Sequence, residues 1–170
     1  MSSEMQMDEQ SFARLIAEHQ GIIHKVCGIY TRNREDRRDL FQEIVLQLWR
    51  SVGAFRGDSK VSTWMYRVAL NTAISGFRKD SRRPPSEELS ESFFQIPATE
   101  SDPEFEEKRT LLYKAIQMLN DIEKAVVMLH LEEKSYEEIA EIAGITSNHV
   151  GVLLNRIRTK LRKLMTPGFS

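Results

Sequence analysis

Thiols, metal-ligand spacings and long apolar runs are what this chain has least of. One cysteine, Cys27, among 170 residues excludes an internal disulfide and any metal site built on paired thiolates. The four histidines, His19, His24, His130 and His149, lack the spacing of metal ligands. No Gly-rich phosphate loop, nucleophile elbow or paired-carboxylate motif is present, so no catalytic residue is assigned. No apolar run approaches the roughly 20 residues that span a bilayer. The N-terminus is polar and acidic, unlike a signal peptide. These absences point to a soluble cytoplasmic binding protein with no cofactor, no metal and no small-molecule substrate.

What is present is charge in blocks. Lys and Arg number 24 against 25 Asp and Glu, a net charge of −1, which by itself implies no partner. Its distribution does. Bases exceed acids from Gln10 to Lys79, acids dominate from Glu87 to Glu107, and only bases occur from Asn155 onward. Two cationic modules around an acidic connector are expected. The connector carries Pro84, Pro85, Pro97 and Pro103 with many Ser and Glu, a composition that extends a tether. The expected architecture is all-α: two small helical domains, residues 10–83 and 104–166, joined by a flexible acidic linker, residues 84–103.

The stretch from Ser135 to Lys163 carries the most specific pattern. Ser135 and Glu138 form a capping box. Ile139, Ala140 and Ala143 make a short apolar face. Gly144 ends the helix, because a left-handed residue is needed there and glycine takes it without a Cβ penalty. Thr146 or Ser147 caps a second helix whose apolar stripe is Val150, Leu153, Leu154, Ile157, Leu161 and Leu164. Two helices joined by so short a glycine turn define a helix-turn-helix. Off its stripe the second helix carries Asn148, Asn155, Arg156, Arg158, Lys160, Arg162 and Lys163, with no acid among them, which suits a DNA groove and its phosphates rather than a merely solvated face. Ahead of it, Phe105, Leu111, Leu112, Ala115 and Leu119 mark one helix. Asn120 caps another, with Ile122, Val126, Val127 and Leu129 inward.

In the first module, Phe12, Leu15, Ile16, His19, Ile22, Ile23, Val26 and Tyr30 trace one long helix. A second, from about Glu35 to Ser51, buries Leu40, Phe41, Ile44, Val45, Leu48 and Trp49 and exposes Asp36, Asp39, Gln42, Glu43, Gln47 and Arg50. The helix dipole accounts for acids in the first turn but not for Gln42 and Glu43. A loop with Gly53 and Gly57 leads to a third helix, Val61 to Lys79. Its core side holds Trp64, Met65, Val68, Ala69, Thr72 and Phe77, and Thr63, Arg67, Asn71, Ser75 and Arg78 point outward. Aromatic and cationic residues interleave here (Phe55, Arg56, Lys60, Tyr66, Arg67), as in surfaces that stack single-stranded bases.

These residues resemble a known family. Glu35-Asp36-Arg-Arg-Asp39-Leu40-Phe-Gln42-Glu43 with Trp49 is similar to the Asp-x-x-Asp-Leu-x-Gln-Glu…Trp signature of sigma region 2. Phe55-Arg56-Gly57…Thr63-Trp64-Met65-Tyr66-Arg67-Val68-Ala69…Asn71 resembles the segment that follows it, and the helix-turn-helix resembles sigma region 4. Their order and the short connector resemble the extracytoplasmic-function class of sigma-70-like transcription initiation factors. The resemblance implies that Asp39, Gln42 and Glu43, with Asp36, bind the clamp helices of the largest RNA polymerase subunit, and that region 4 meets the flap of the second-largest. It implies minus-ten DNA contacts from Lys60, Thr63, Arg67, Asn71, Arg78 and Lys79, where a flipped base must be held at the cost of unpairing it. For the minus-thirty-five element it implies base contacts from Thr146, Ser147, Asn148, Val152 and Asn155, and phosphate contacts from Arg156, Arg158, Lys160 and Arg162. It further implies an anti-sigma partner, often at the inner membrane, that covers these surfaces. The chain departs from the family in having Gly151 and Leu153 where Lys and Arg are usual, and Ile74-Ser75 where Arg-Asp is frequent. Two other classes fit parts of the pattern. A free-standing helix-turn-helix regulator would need a dimer interface or sensor pocket, and a helical adaptor would have no use for a basic final helix.

Overall fold

A computed structural model describes residues 7–55, 57, 60–75 and 102–166. Among these the chain is helical, with no strand, and it divides into two compact units, Met1–Phe93 and Phe94–Ser170. The linker expected at 84–103 lies outside the described residues except at its last two positions, as do Phe77, Arg78 and Lys79.

The first unit is a three-helix body: α1 (Glu9–Tyr30), α2 (Arg34–Ser51) and α3 (Val61–Ser75), with a short 3-10 turn, Val52–Ala54, after α2. Asp8 caps α1 by accepting from the Ser11 N–H at 2.7 Å. At His19 the backbone leaves the helical region (φ −118°, ψ 16°). Its ring Nδ1 donates to the Leu15 carbonyl at 3.1 Å, the acceptor that its own backbone N–H would otherwise take, and such competition for a carbonyl bends a helix. The helix ends at Tyr30, three residues before Asn33, which does not terminate it. Asn33 instead caps α2, its Oδ1 accepting from the Asp36 N–H at 2.8 Å.

Each of the three helices packs on the other two. Ile23, Val26, Ile29, Leu40, Ile44, Leu48, Met65 and Ala69 are wholly buried between them. Because α3 sits against both neighbours, it is buried around most of its girth, from Thr63 through Tyr66 and again from Ala69 to Leu70. Burial pushes the Cys27 thiol up to about 12, so this lone cysteine stays protonated and unreactive. His24 packs against the Phe41 ring at 4.9 Å, and burial, with the nearby Arg37 charge, lowers its pKa.

The second unit comprises α4 (Pro103–Gln117), α5 (Asp121–Leu131), α6 (Tyr136–Ala143) and α7 (Ser147–Met165). Every start is capped. Asp102 accepts from the Glu104 N–H at 3.2 Å, with Pro103 at the first helical position, where its missing N–H costs nothing. Asn120 with Glu123, and Ser135 with Glu138, form complete capping boxes. Thr146, not Ser147, caps α7, accepting from the His149 N–H at 3.1 Å. Gly144 is left-handed (φ 73°, ψ 33°), and the Gly144 and Ile145 N–H groups both donate to the Ala140 carbonyl, at 2.9 and 3.1 Å. Helix α7 packs against α4, α5 and α6 through Val150, Leu153, Leu154 and Ile157, none more than 3% exposed.

Glu133, between α5 and α6, also adopts a positive φ, 61°, which costs a residue with a Cβ roughly 1–2 kcal/mol. Replacing Glu133 by Gly removes that penalty at some cost in unfolded-chain entropy. Glu133→Gly is therefore expected to stabilise the full chain by about 0.5–1 kcal/mol, read as a higher urea midpoint with unchanged slope.

Several residues expected inside lie at the surface. Trp49 is 38% exposed, Phe105 47%, Leu111 45% and Leu164 41%. Phe105 and Leu164 sit in the first turn of α4 and the last turn of α7, while Leu111 lies mid-way along α4 on its open side. Ile122 is only half-buried.

Candidate partner- and DNA-binding surfaces

The outer face of α2 carries the first surface. Asp39 and Gln42 are exposed and Glu43 half-buried, held by a 2.9 Å hydrogen bond from the Gln47 side-chain amide to its Oε1. The spacing 39, 42, 46, 49 follows one helical face, and it continues into apolar surface at Leu46 (40% exposed) and Trp49. Beside Gln42 lies an open depression of about 370 Å³ lined by Phe12, Phe41, Val45, Leu46 and Trp49, its floor fixed by the edge-on Phe12–Trp49 ring contact at 4.9 Å. The surface thus has an acid-amide end and an apolar end. Sequence reasoning missed the second. Its signal was Leu46, an apolar residue off the buried stripe.

Asp36 departs from expectation: it is buried, 6% exposed. Its Oδ2 accepts from the Asn33 side-chain amide at 2.9 Å while its backbone N–H donates to Asn33. This carboxylate closes the start of α2 and is not part of the open face.

Lys60, just before α3, and Arg67 and Asn71 on it are exposed and lie at seven- and four-residue steps, with Ser75 a turn further. Thr63 does not join them. It is 3% exposed, because its face is that of Tyr66, Leu70 and Ala73, at three, seven and ten residues on, all turned into the body. The Phe55 ring lies 5.0 Å from Trp64 with planes 32° apart, so half-buried Phe55 covers the buried Trp64 at the start of the helix. Arg78 and Lys79 lie outside the described residues.

On α7, Asn148, Val152, Asn155, Arg156, Arg158 and Arg162 are exposed, Thr146 is exposed at the cap, and Ser147 is half-buried. The Thr146 hydroxyl oxygen already accepts at the cap, which leaves its O–H, one lone pair and its methyl for a ligand. Leu153 is buried at 3%, so this position packs the core and offers nothing outward. A Cβ on Gly151 would stand 3.5 Å from the Tyr136 ring, an ordinary contact. Glycine thus keeps the helix surface low beside an aromatic ring, at a propensity cost of about 1 kcal/mol. Lys160 is corrected. Its ammonium donates to both oxygens of Glu123, at 2.9 and 2.8 Å, so although its side chain is 45% exposed its charge already has a partner within the unit.

A helical body with an acid-amide face, and a second whose capped helix-turn-helix ends in an acid-free basic helix, define the class of sigma-70-like promoter-recognition subunits. The family model for Sigma-70 region 2 matches residues 15–83 and that for Sigma-70, region 4 matches residues 109–161. The ECF RNA polymerase sigma-E factor of Haemophilus influenzae is 31% identical over 95% of this chain and 91% of its own. That of Escherichia coli K12 is 34% identical over 88% and 82%. RNA polymerase sigma-H factor of Pseudomonas aeruginosa is 30% identical over 94% and 89%. The chain belongs to the extracytoplasmic-function group of sigma-70-like RNA polymerase sigma factors.

Two solved structures share the fold. Sigma factor RpoE in complex with the anti-sigma factor NepR, from Bartonella quintana, has a TM-score of 0.70 at 18% identity, over 94% of this chain and 99% of that one. CnrH in complex with the cytosolic domain of CnrY has a TM-score of 0.64 at 20% identity, over 93% and 89%. Among the described residues no helix is long and apolar enough to cross a membrane.

Proposed function

We propose a division of labour among the three surfaces for a subunit that binds core RNA polymerase, recognises promoter DNA and performs no catalysis itself. Asp39, Gln42 and Glu43 engage the clamp helices of the largest subunit through charge-assisted hydrogen bonds. An apolar side chain of the same partner fills the adjoining depression at Trp49. Lys60, Arg67 and Asn71, with Arg78 and Lys79, hold the separated strand of the minus-ten element, and Phe55 is available for stacking. Helix α7 lies in the major groove at the minus-thirty-five element. Asn148, Val152 and Asn155 meet base edges there, with Ser147 and the Thr146 methyl at the groove wall, and Arg156, Arg158 and Arg162 meet phosphates. Residues 10–83 and 104–166 act as the two gripping domains, and the acidic connector between them suits a cationic polymerase channel, with the flap of the second-largest subunit carrying the second domain.

The single observation behind this reading is the acid-free outer face of α7 directly after the left-handed Gly144 turn. An operator-binding regulator without polymerase would leave the α2 face unused. The chain works in the cytoplasm, where polymerase is, and an anti-sigma partner, at the inner membrane or free, restrains it by covering the same faces. Run-off transcription with purified core polymerase over a promoter library tests the whole reading. Transcripts should start only when the chain is added, at promoters sharing two spaced elements. Sequence-specific binding by the free chain, as tight as with polymerase, would instead identify an autonomous regulator.

A further inference from the structure

Glu123 is the deepest-buried acid among the described residues, 1% exposed, yet it stands at the third position of α5, where its obvious duty is a cap. It performs that duty. Its Oε1 accepts from the Asn120 N–H at 3.1 Å while its own N–H donates to Asn120 at 2.9 Å. A cap alone needs no burial, as Glu138 demonstrates: it makes the same box with Ser135 and is only half-buried. Helix α5 packs against both α6 and α7, and from α7 the half-exposed Lys160 reaches the Glu123 carboxylate at 2.9 and 2.8 Å, 37 residues away in sequence.

Apolar contact between two helices is non-directional and permits sliding and rotation at small cost. A buried carboxylate does not. Removed from water it must keep its cation, so α7 is pinned to the start of α5 at one point. Lys160 lies three residues beyond Ile157, on the border between the buried stripe and the outer face. The pin therefore governs how far Asn155, Val152 and Asn148, about one to three turns upstream, are rotated towards a groove.

We propose that the Glu123–Lys160 pair sets the rotation and axial register of the DNA-reading helix, Lys160 being a positioning residue and not a phosphate contact. This rests on the reading of α7 as the helix in the major groove.

The test uses holoenzyme assembled from core polymerase and full-length chain, binding promoter duplexes with a matched or scrambled upstream element across a salt series. Lys160→Met and Glu123→Gln should each lower the preference for the matched element about tenfold, one base step's worth of readout, with the salt slope unchanged. Lys160→Arg should restore most of it. Binding is measured at a temperature where circular dichroism shows each variant folded. Should a single variant not fold, the double variant E123Q/K160M, which buries no charge, should show the same lost preference. A salt slope reduced by about 0.9 with preference intact would make Lys160 a phosphate contact and overturn the proposal. Unchanged slope and preference in folded variants would reduce the pair to a stabilising contact and overturn it equally. A wild-type holoenzyme indifferent to every upstream element removes the DNA-reading helix itself, and the proposal with it.

Discussion

Reversing the charges of Asp39 and Glu43 together, Asp39→Lys with Glu43→Lys, is expected to abolish co-purification with core polymerase and to lower run-off transcription by at least about a hundredfold. Asp39 is exposed and Glu43 half-buried on one side of α2, so both reach a partner without disturbing Leu40 and Ile44, which are wholly buried on the other. Each reversal replaces an attraction by a like-charge contact, which costs several kcal/mol at an interface. The free variant should melt near the parent, since neither carboxylate has a buried partner to abandon. The Gln47 amide that donates to Glu43 returns to water. Trp49→Ala provides the apolar counterpart: truncating an aromatic anchor typically costs 2 kcal/mol or more, about thirtyfold in affinity, at a site four or more residues from either charge. Undiminished binding by the double reversal would move the polymerase contact off α2. Loss on the double reversal with none on Trp49→Ala would confine the contact to the polar end.

The parts of this fold that were legible in sequence are those decided within a turn or two of chain. Both capping boxes, the Asn120 start of α5 and the left-handed Gly144 depend on neighbours three or four residues apart, and they appear where the residue types require them. The basic outer face of α7 was legible for the same reason. Most of the misplacements concern what lies across the unit. Helical period sorts residues into faces but does not say how many faces are covered. Helix α3 packs on two neighbours, so Thr63, polar and off the main stripe, is buried. Trp49, read as part of the buried stripe of α2, falls instead on the open side with Asp39, Gln42 and Leu46, while its neighbour Leu48 is wholly buried. Asp36 read as one more acid on an acidic face because a carboxylate that serves a cap and one that serves a partner are the same letter. Lys160 read as one more base on a basic face because its counter-ion lies 37 residues upstream, beyond any periodicity. One apparent departure from the family also resolves into packing: Leu153 belongs to the core of its unit.

Neutralising Arg156, Arg158 and Arg162 together to Gln is expected to flatten the salt dependence of promoter binding by nearly three units of slope, about 0.9 for each phosphate contact released. All three side chains are exposed on α7, and the helix has no acidic residue in its first turn nor any further along. Glutamine keeps nearly the same helix propensity, so the fold should hold. Over a fourfold rise in salt the parent complex should lose about fortyfold more affinity than the variant. The loss at low salt should be nearly equal for matched and scrambled upstream elements, because phosphates carry no sequence. Asn148→Ala must behave in the opposite way, leaving the slope alone and changing which base is preferred, since an amide can pair with a base edge and neutralises nothing. If the triple variant shifted sequence preference while its slope stayed put, the arginines would be reading bases and α7 would lie in the groove on a different face. That face would place Asn148 and Val152 against the phosphates, where an apolar side chain gains nothing. The joint outcome of slope and preference therefore fixes the rotation of the helix about its own axis, which neither measurement does alone.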